Sequence, residues 1–153
     1  MTEVIPEFQG KYRWLSNFYL CRVEFEGDTY ASAEHAYQAA KLKDRARRSV
    51  VMANRTTTLS QSPQHVKQWG KRVPIREDWE DVKLQVMKDI LTSKFLDNTL
   101  RAQLLSTGSV ELVEGNWWHD NFWGSCRCRK CGDHGLNHLG KLLMQIRSSY
   151  YVS

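Results

Sequence analysis

Four short segments of this chain put polar and charged groups where a purely structural stretch would favour apolar ones. They are Ser16-Asn17-Phe18, Glu34-His35-Ala36-Tyr37-Gln38-Ala39-Ala40-Lys41, Asp120-Asn121-Phe122-Trp123-Gly124 and Gly135-Leu136-Asn137-His138-Leu139-Gly140. Glu34 and Asp120 supply carboxylates that can stabilise a developing positive charge or activate water. Asp120 is flanked by Trp118, Asn121 and Trp123. Aromatic walls beside one carboxylate suit a site that stacks a planar base next to a sugar. The competing reading makes the Trp residues core and Asp120 a turn or cap. The fourth segment leads into a helix start, and such a Gly-rich approach can bind phosphate through its N–H groups.

On a helix, Glu34, Tyr37, Gln38, Lys41 and Arg45 fall within about a third of the circumference. Ala36, Ala39 and Ala40 fill much of the other side and allow close packing there. The polar stripe is therefore expected to face a cleft or solvent. The plain alternative is an exposed Glu34–Gln38–Lys41 ladder. Against it, Tyr37 is out of place on a fully solvated face, and Glu34 in the first turn is favoured in its ionised form by the helix dipole.

Three of the four cysteines crowd into Cys126, Cys128 and Cys131, with His134 three residues on. In a reducing compartment this pattern argues for a metal clip or free thiols rather than a disulfide framework. Three thiolates and the His134 imidazole would complete a tetrahedral zinc shell, and that zinc would be structural because no position stays open. The alternative is three reduced thiols in a basic loop.

The elements that must position these groups read as mainly helical, with a few short strands in the N-terminal part, in one domain over residues 1–153. Cys21, Val23 and Phe25 alternate with Arg22, Glu24 and Glu26 before a Gly27-Asp28 turn, a hairpin signal. Ser32 is an N-cap for a helix running to about Arg48. A second helix covers part of 49–69, with a Ser62-Pro63 start. Trp79, Val82, Val86 and Ile90 form one stripe of a helix from Asp78 to about Leu96. Another spans 98–106, ended by Gly108. Residues 110–113 read as a brief strand, and 114–137 as a long loop. A last helix starts near Leu139 and buries Leu139, Leu142, Leu143 and Ile146. A loop of that length inside a folded domain usually carries function.

The 153 residues, 41% hydrophobic and 25% charged, fit a globular domain with a real core. No apolar run approaches the roughly 20 residues of a membrane helix, and the N-terminus lacks a secretory pattern. A cytoplasmic location and no membrane partner are the expectations. The net charge of +5 suits an anionic ligand, or is merely a basic surface. Lys71, Arg72 and Lys130 are candidate phosphate contacts or ordinary surface charges.

The ordered set Ser16-Asn17-Phe18, Glu34-His35 through Gln38 and Lys41, Trp79, Lys94-Phe95, Leu112-Val113-Glu114, Trp123-Gly124, Asn137-x-Leu139-Gly140 and Leu143-Met144 resembles the NADAR family of YbiA-like N-glycosidases, from about Gly10 to Arg147. The resemblance implies hydrolysis of an N-glycosidic bond to ribose. It implies a phosphorylated ribosylamino-pyrimidine intermediate of riboflavin synthesis, or ADP-ribosylated guanine in nucleic acid, as substrate. It implies catalytic roles for Glu34 and Asp120, with Lys41 as a further candidate. It also implies substrate contacts from Asn17, Phe18, Tyr37, Gln38, Trp79, Trp123, Gly124 and Asn137. No cofactor is expected for catalysis. Trp79 is read either as a base-stacking ring or as core. Ser125-Cys126-Arg127-Cys128-Arg129-Lys130-Cys131 departs from the Gly/Asp-rich stretch of many relatives and leaves substrate choice open. The reading from another class is a zinc-stabilised nucleic-acid-binding or ADP-ribose-binding module without turnover.

Overall fold

The computed structural model describes residues 3–53, 55 and 57–151. The chain divides into two compact units, Asn17–Asp97 and Met1–Ser16 with Asn98–Ser153. The architecture is mainly helical, and among the described residues the strands form three two-stranded sheets.

In the unit Asn17–Asp97, strands β2 (Val23–Phe25) and β3 (Asp28–Tyr30) pair antiparallel, with Phe25 opposite Asp28. Their two-residue turn takes positive φ at both Glu26 and Gly27, matching the twist of a tight hairpin. Helix α1 (Ala33–Ala40) starts at Ser32, whose Oγ accepts the His35 N–H at 3.1 Å. It is shorter than the predicted span to Arg48. The chain leaves the helix after Lys41, and the buried Arg48 guanidinium donates to the freed Leu42 carbonyl at 2.9 and 2.7 Å. Asp44 then caps a short 3₁₀ segment, Arg45–Val51, by accepting the Ala46 N–H. Arg45 therefore drops out of the polar stripe and pairs with Asp28.

Helices α2 (Thr58–Gln61) and α3 (Pro63–Gly70) follow, the second with the expected Ser62 cap and Pro63 in its first turn. Helix α4 (Trp79–Lys94) buries Trp79, Val86, Met87, Ile90 and Leu91, while Val82 is half-buried. These residues and the alanines of α1 make the core of the unit.

In the other unit, β1 (Val4–Ile5) pairs in parallel with β4 (Glu111–Leu112), so one sheet joins the two stretches of sequence that make up this unit. Helix α5 (Asn98–Ser106) precedes β4 and buries Leu100 and Leu104. Helix α6 (His138–Ser149) buries Leu139, Leu143 and Ile146, with Leu142 half-buried. The long loop between β4 and α6 is tied by a parallel pair, β5 (Gly115–Asn116) and β6 (Ser125–Cys126). Among the described residues, no helix is long and apolar enough to cross a membrane.

Candidate active site

Every residue of α1 is buried, so the polar stripe is neither a solvated ladder nor an exposed face. Glu34 is 7% exposed, and burying a carboxylate is costly unless it is hydrogen-bonded. Its Oε1 accepts the Gln38 Nε2 proton at 2.7 Å, one helical turn away. Its backbone N–H donates to the Asn17 carbonyl at 3.0 Å, which ties the Ser16-Asn17-Phe18 segment to the first turn of α1. The Asn17 side chain donates toward Met87 Sδ at 3.6 Å, and its buried Oδ1 has no hydrogen-bond partner among the described residues.

Aromatic rings line the same stripe. Tyr37 meets Trp79 at 5.1 Å between ring centres, tilted by 55°. Trp79 is 5% exposed, so it serves as core on α4 while presenting its ring to Tyr37. The Lys41 ammonium lies over the Tyr37 ring at 5.5 Å, and the Lys67 ammonium over Phe18 at 5.7 Å. Burial lowers the Lys41 pKa from its ordinary 10.5; the Glu34 charge opposes this, and Lys67, Lys71 and Lys83 add to it. The Lys41 ammonium thus feels one carboxylate, Glu34, and three other lysines, of which Lys83 is itself paired with Glu80 at 2.5 Å. Lys71 is one of the phosphate-contact candidates named from the sequence, the plainer reading there being a surface charge. Lys67 and Lys83 are not among those candidates, because they lie on α3 and α4 and only packing gathers them.

A surface cavity of about 360 Å³ opens elsewhere on this unit, walled by Phe25, Arg76 and Val86 among others. It holds none of the expected site residues, and Glu24, Glu26 and Asp89 line it. That charge balance suits an anionic substrate poorly.

The other expected residues lie in the loop before α6. Asn116 organises it: its Oδ1 accepts the N–H groups of Trp118 and Asp120, and its Nδ2 donates to the Asp120 carbonyl at 2.8 Å. Asp120 Oδ1 accepts the N–H groups of Phe122 at 3.2 Å and Trp123 at 3.0 Å, the turn-forming role. Trp123 is half-buried beside Phe122 and His138, whereas Trp117 and Trp118 are 61% and 53% exposed.

The Gly-rich approach to α6 is no phosphate cradle. The N–H groups of Leu136, Asn137, His138 and Leu139 donate to the carbonyls of Asn121, Gly124, Phe122 and Trp123. Asn137, at φ 52°, spends its side chain too: Oδ1 accepts the Glu114 N–H and Nδ2 donates to the Leu112 carbonyl, both at 2.9 Å. Gly124 is packed so closely on the Glu114 carbonyl that any side chain would overlap it. Asn137 and Gly124 therefore lock the loop to β4.

The three clustered cysteines come together, but their fourth companion is His119 rather than His134. The donor atoms of His119, Cys126, Cys128 and Cys131 all lie within 4.8 Å of one another, close enough to hold a metal ion. His134 is exposed, with its ring against Gly132. Hydrogen bonding from the Cys131 N–H, and then from Cys126, pulls the Cys128 thiol down to about 6.

Comparison with known proteins agrees with this picture. The NADAR domain profile matches residues 7–150. A riboflavin biosynthesis protein of Vibrio vulnificus is 39% identical over 137 residues, 88% of this chain, and the chain spans 34% of that protein's length. The N-glycosidase YbiA of Escherichia coli is 36% identical over 146 residues, covering 92% of this chain and 83% of YbiA. The solution structure of E. coli YbiA superposes with a TM-score of 0.78 at 33% identity, over 99% of this chain and 88% of that one. With the profile spanning nearly the whole sequence and the fold shared, the chain belongs to the NADAR domain family.

Proposed function

We propose that this protein is an N-glycosidase that hydrolyses the bond between ribose C1′ and a base nitrogen of a phosphorylated ribosylamino-pyrimidine. The observation that carries the reading is the buried Glu34 carboxylate, oriented by Gln38 and close enough to Lys41 to oppose the lowering of its pKa, with Lys67, Lys71 and Lys83 acting on the same ammonium. The names of the relatives support it: several are called N-glycosidases, and the Vibrio vulnificus protein and a chloroplastic protein of Arabidopsis thaliana are called riboflavin biosynthesis proteins.

Breaking the C1′–N bond builds positive charge on the sugar and negative charge on the leaving base. In this reading Glu34 faces the sugar and stabilises its charge or takes the proton of the attacking water. The lysines receive the 5′-phosphate, and Tyr37 and Phe18 flank the base. The buried Asn17 Oδ1 is an acceptor suited to a substrate hydroxyl. Lys41, with its lowered pKa, has a further route. Its neutral amine attacks C1′ as the base leaves with a proton; the adduct opens to a Schiff base that water hydrolyses. Asp120 is assigned to the same reaction on the motif resemblance alone.

A second reading, ADP-ribosylated guanine in nucleic acid, is favoured by the exposed Trp117 and Trp118 and by Arg127, whose guanidinium lies 5.9 Å from the Trp117 ring centre. Exposed indoles with arginines suit base stacking on a single strand.

The test is mass-spectrometric detection of released base by wild-type and Glu34→Gln protein. The two substrates are a ribosylamino-pyrimidine 5′-phosphate and a guanine-ADP-ribosylated oligonucleotide. Release from the first, reduced about 10²–10⁴-fold in a variant that melts normally, is expected. Release from the second only would move the assignment to the nucleic-acid branch. Tight binding of either without release would make the protein a binding module.

A further inference from the structure

One constellation of reactive side chains plays no part in the chemistry above. His119 Nδ1 stands 3.3 Å from Cys131 Sγ, 3.5 Å from Cys128 Sγ and 3.7 Å from Cys126 Sγ. A single ring nitrogen carries one proton or one lone pair, so it cannot serve three sulfurs as hydrogen-bond partners at once. One nitrogen nearly equidistant from three sulfurs is instead how four donors sit around a common centre. For tetrahedral zinc with Zn–S near 2.3 Å and Zn–N near 2.0–2.1 Å, the N···S separations come to about 3.5 Å. The three observed distances bracket that value.

We propose that His119, Cys126, Cys128 and Cys131 bind one structural zinc ion that clamps the His119 arm of the loop to the Cys126–Cys131 knuckle. The donor set is the soft, sulfur-rich kind that selects zinc over hard cations. Four protein ligands close the shell and leave no position for substrate. The Cys131 N–H points at Cys128 Sγ at 3.4 Å, the outer support a metal-bound thiolate needs. Three thiolates on a divalent ion leave one net negative charge, and the exposed Arg127, Arg129 and Lys130 alternate with the cysteines in sequence and bring positive charge to the same loop. His119 adopts φ 69°, a left-handed conformation costly for a residue with a side chain. A fourth metal bond would repay that cost by holding the ring over the sulfurs.

The clamp is separate from the Glu34 chemistry, so its test reads metal rather than turnover. Protein purified with reductant and without chelator should contain about one zinc per chain by mass spectrometry of the elements. Replacing zinc with Co(II) should give the intense visible bands of a tetrahedral site and thiolate-to-cobalt absorption. Competition with a coloured chelator should show His119→Ala weakened by at least about a hundredfold, beyond the usual cost of losing an outer partner. His134→Ala should bind zinc as the wild type does. The proposal is overturned by metal-free protein that takes up neither zinc nor cobalt. A weak octahedral cobalt spectrum overturns it as well. So does affinity that depends on His134 and not on His119. The wild-type cobalt spectrum keeps the test decisive even where a cysteine variant fails to fold.

Discussion

The side-chain oxygen of Gln38 occupies the space that a side chain at Gly70 would need. The amide end of the same group holds Glu34 at 2.7 Å, so the missing Cβ on α3 helps set the orientation of the buried carboxylate on α1.

Gly70→Ala should therefore push the Gln38 carboxamide off Glu34. Overpacking of this kind costs about 1–3 kcal/mol, against at most about 1 kcal/mol gained in helix propensity. The variant should melt lower and turn over more slowly. Combining it with Gln38→Ala should recover part of the lost stability, as read by thermal unfolding of the single and double variants. Strictly additive losses would show that the overlap is not the cause.

Lys41 gives a pH signature. Its pKa lies below 10.5, so the neutral amine fraction grows as pH rises toward that lowered value. If the amine attacks C1′, kcat should show an ascending limb centred below 10.5 that disappears in Lys41→Arg. Borohydride added during turnover should trap a sugar adduct on the wild type. Activity retained in Lys41→Arg with no trapped adduct would confine Lys41 to phosphate binding.

For Asp120, the informative change is Asp120→Asn, because an amide oxygen still accepts the Phe122 and Trp123 N–H groups. The charge is removed while one turn-forming acceptor oxygen is kept. If the carboxylate takes part in the reaction, kcat should fall at least about tenfold with an unchanged melting temperature. Unaltered turnover would restrict Asp120 to shaping the loop.

His35 should make the fold sensitive to acid. It is fully buried, with Nδ1 2.7 Å from Ser32 Oγ, and burial lowers its pKa below the ordinary 6.5. Above about pH 6.5 both folded and unfolded states hold it neutral, and it adds no pH dependence. Below that, the unfolded chain takes up the proton first, so stability falls as pH drops from 6.5 toward the lowered folded value. Denaturant midpoints across pH 7 to 5 should show the decline, with a shallower slope for His35→Gln, which cannot titrate.

The local code of the chain was largely legible. The Ser32 and Ser62 caps, the β2–β3 hairpin, the α4 stripe and α6 follow from short-range signals that need no distant partner. The end of α1 was not legible. Nothing near Lys41 stops a helix; the stop depends on Arg48 folding back onto the Leu42 carbonyl. The lysines that act on Lys41 are not legible either, since Lys67 and Lys83 stand far along the chain from it.

By itself, the order of residues determined the mainly helical elements and a crowded cysteine cluster, and its motifs carried the resemblance that pointed to the family and to Glu34. Periodicity, spacing and motif order survive in an unfolded string. Tertiary structure decided which groups meet. It placed His119 rather than His134 on the three sulfurs, because a left-handed turn at one end of the loop folds that ring back. It also consumed the amides before α6 on loop carbonyls, which takes them from any phosphate, because every buried N–H must find an acceptor and the nearest was the chain itself.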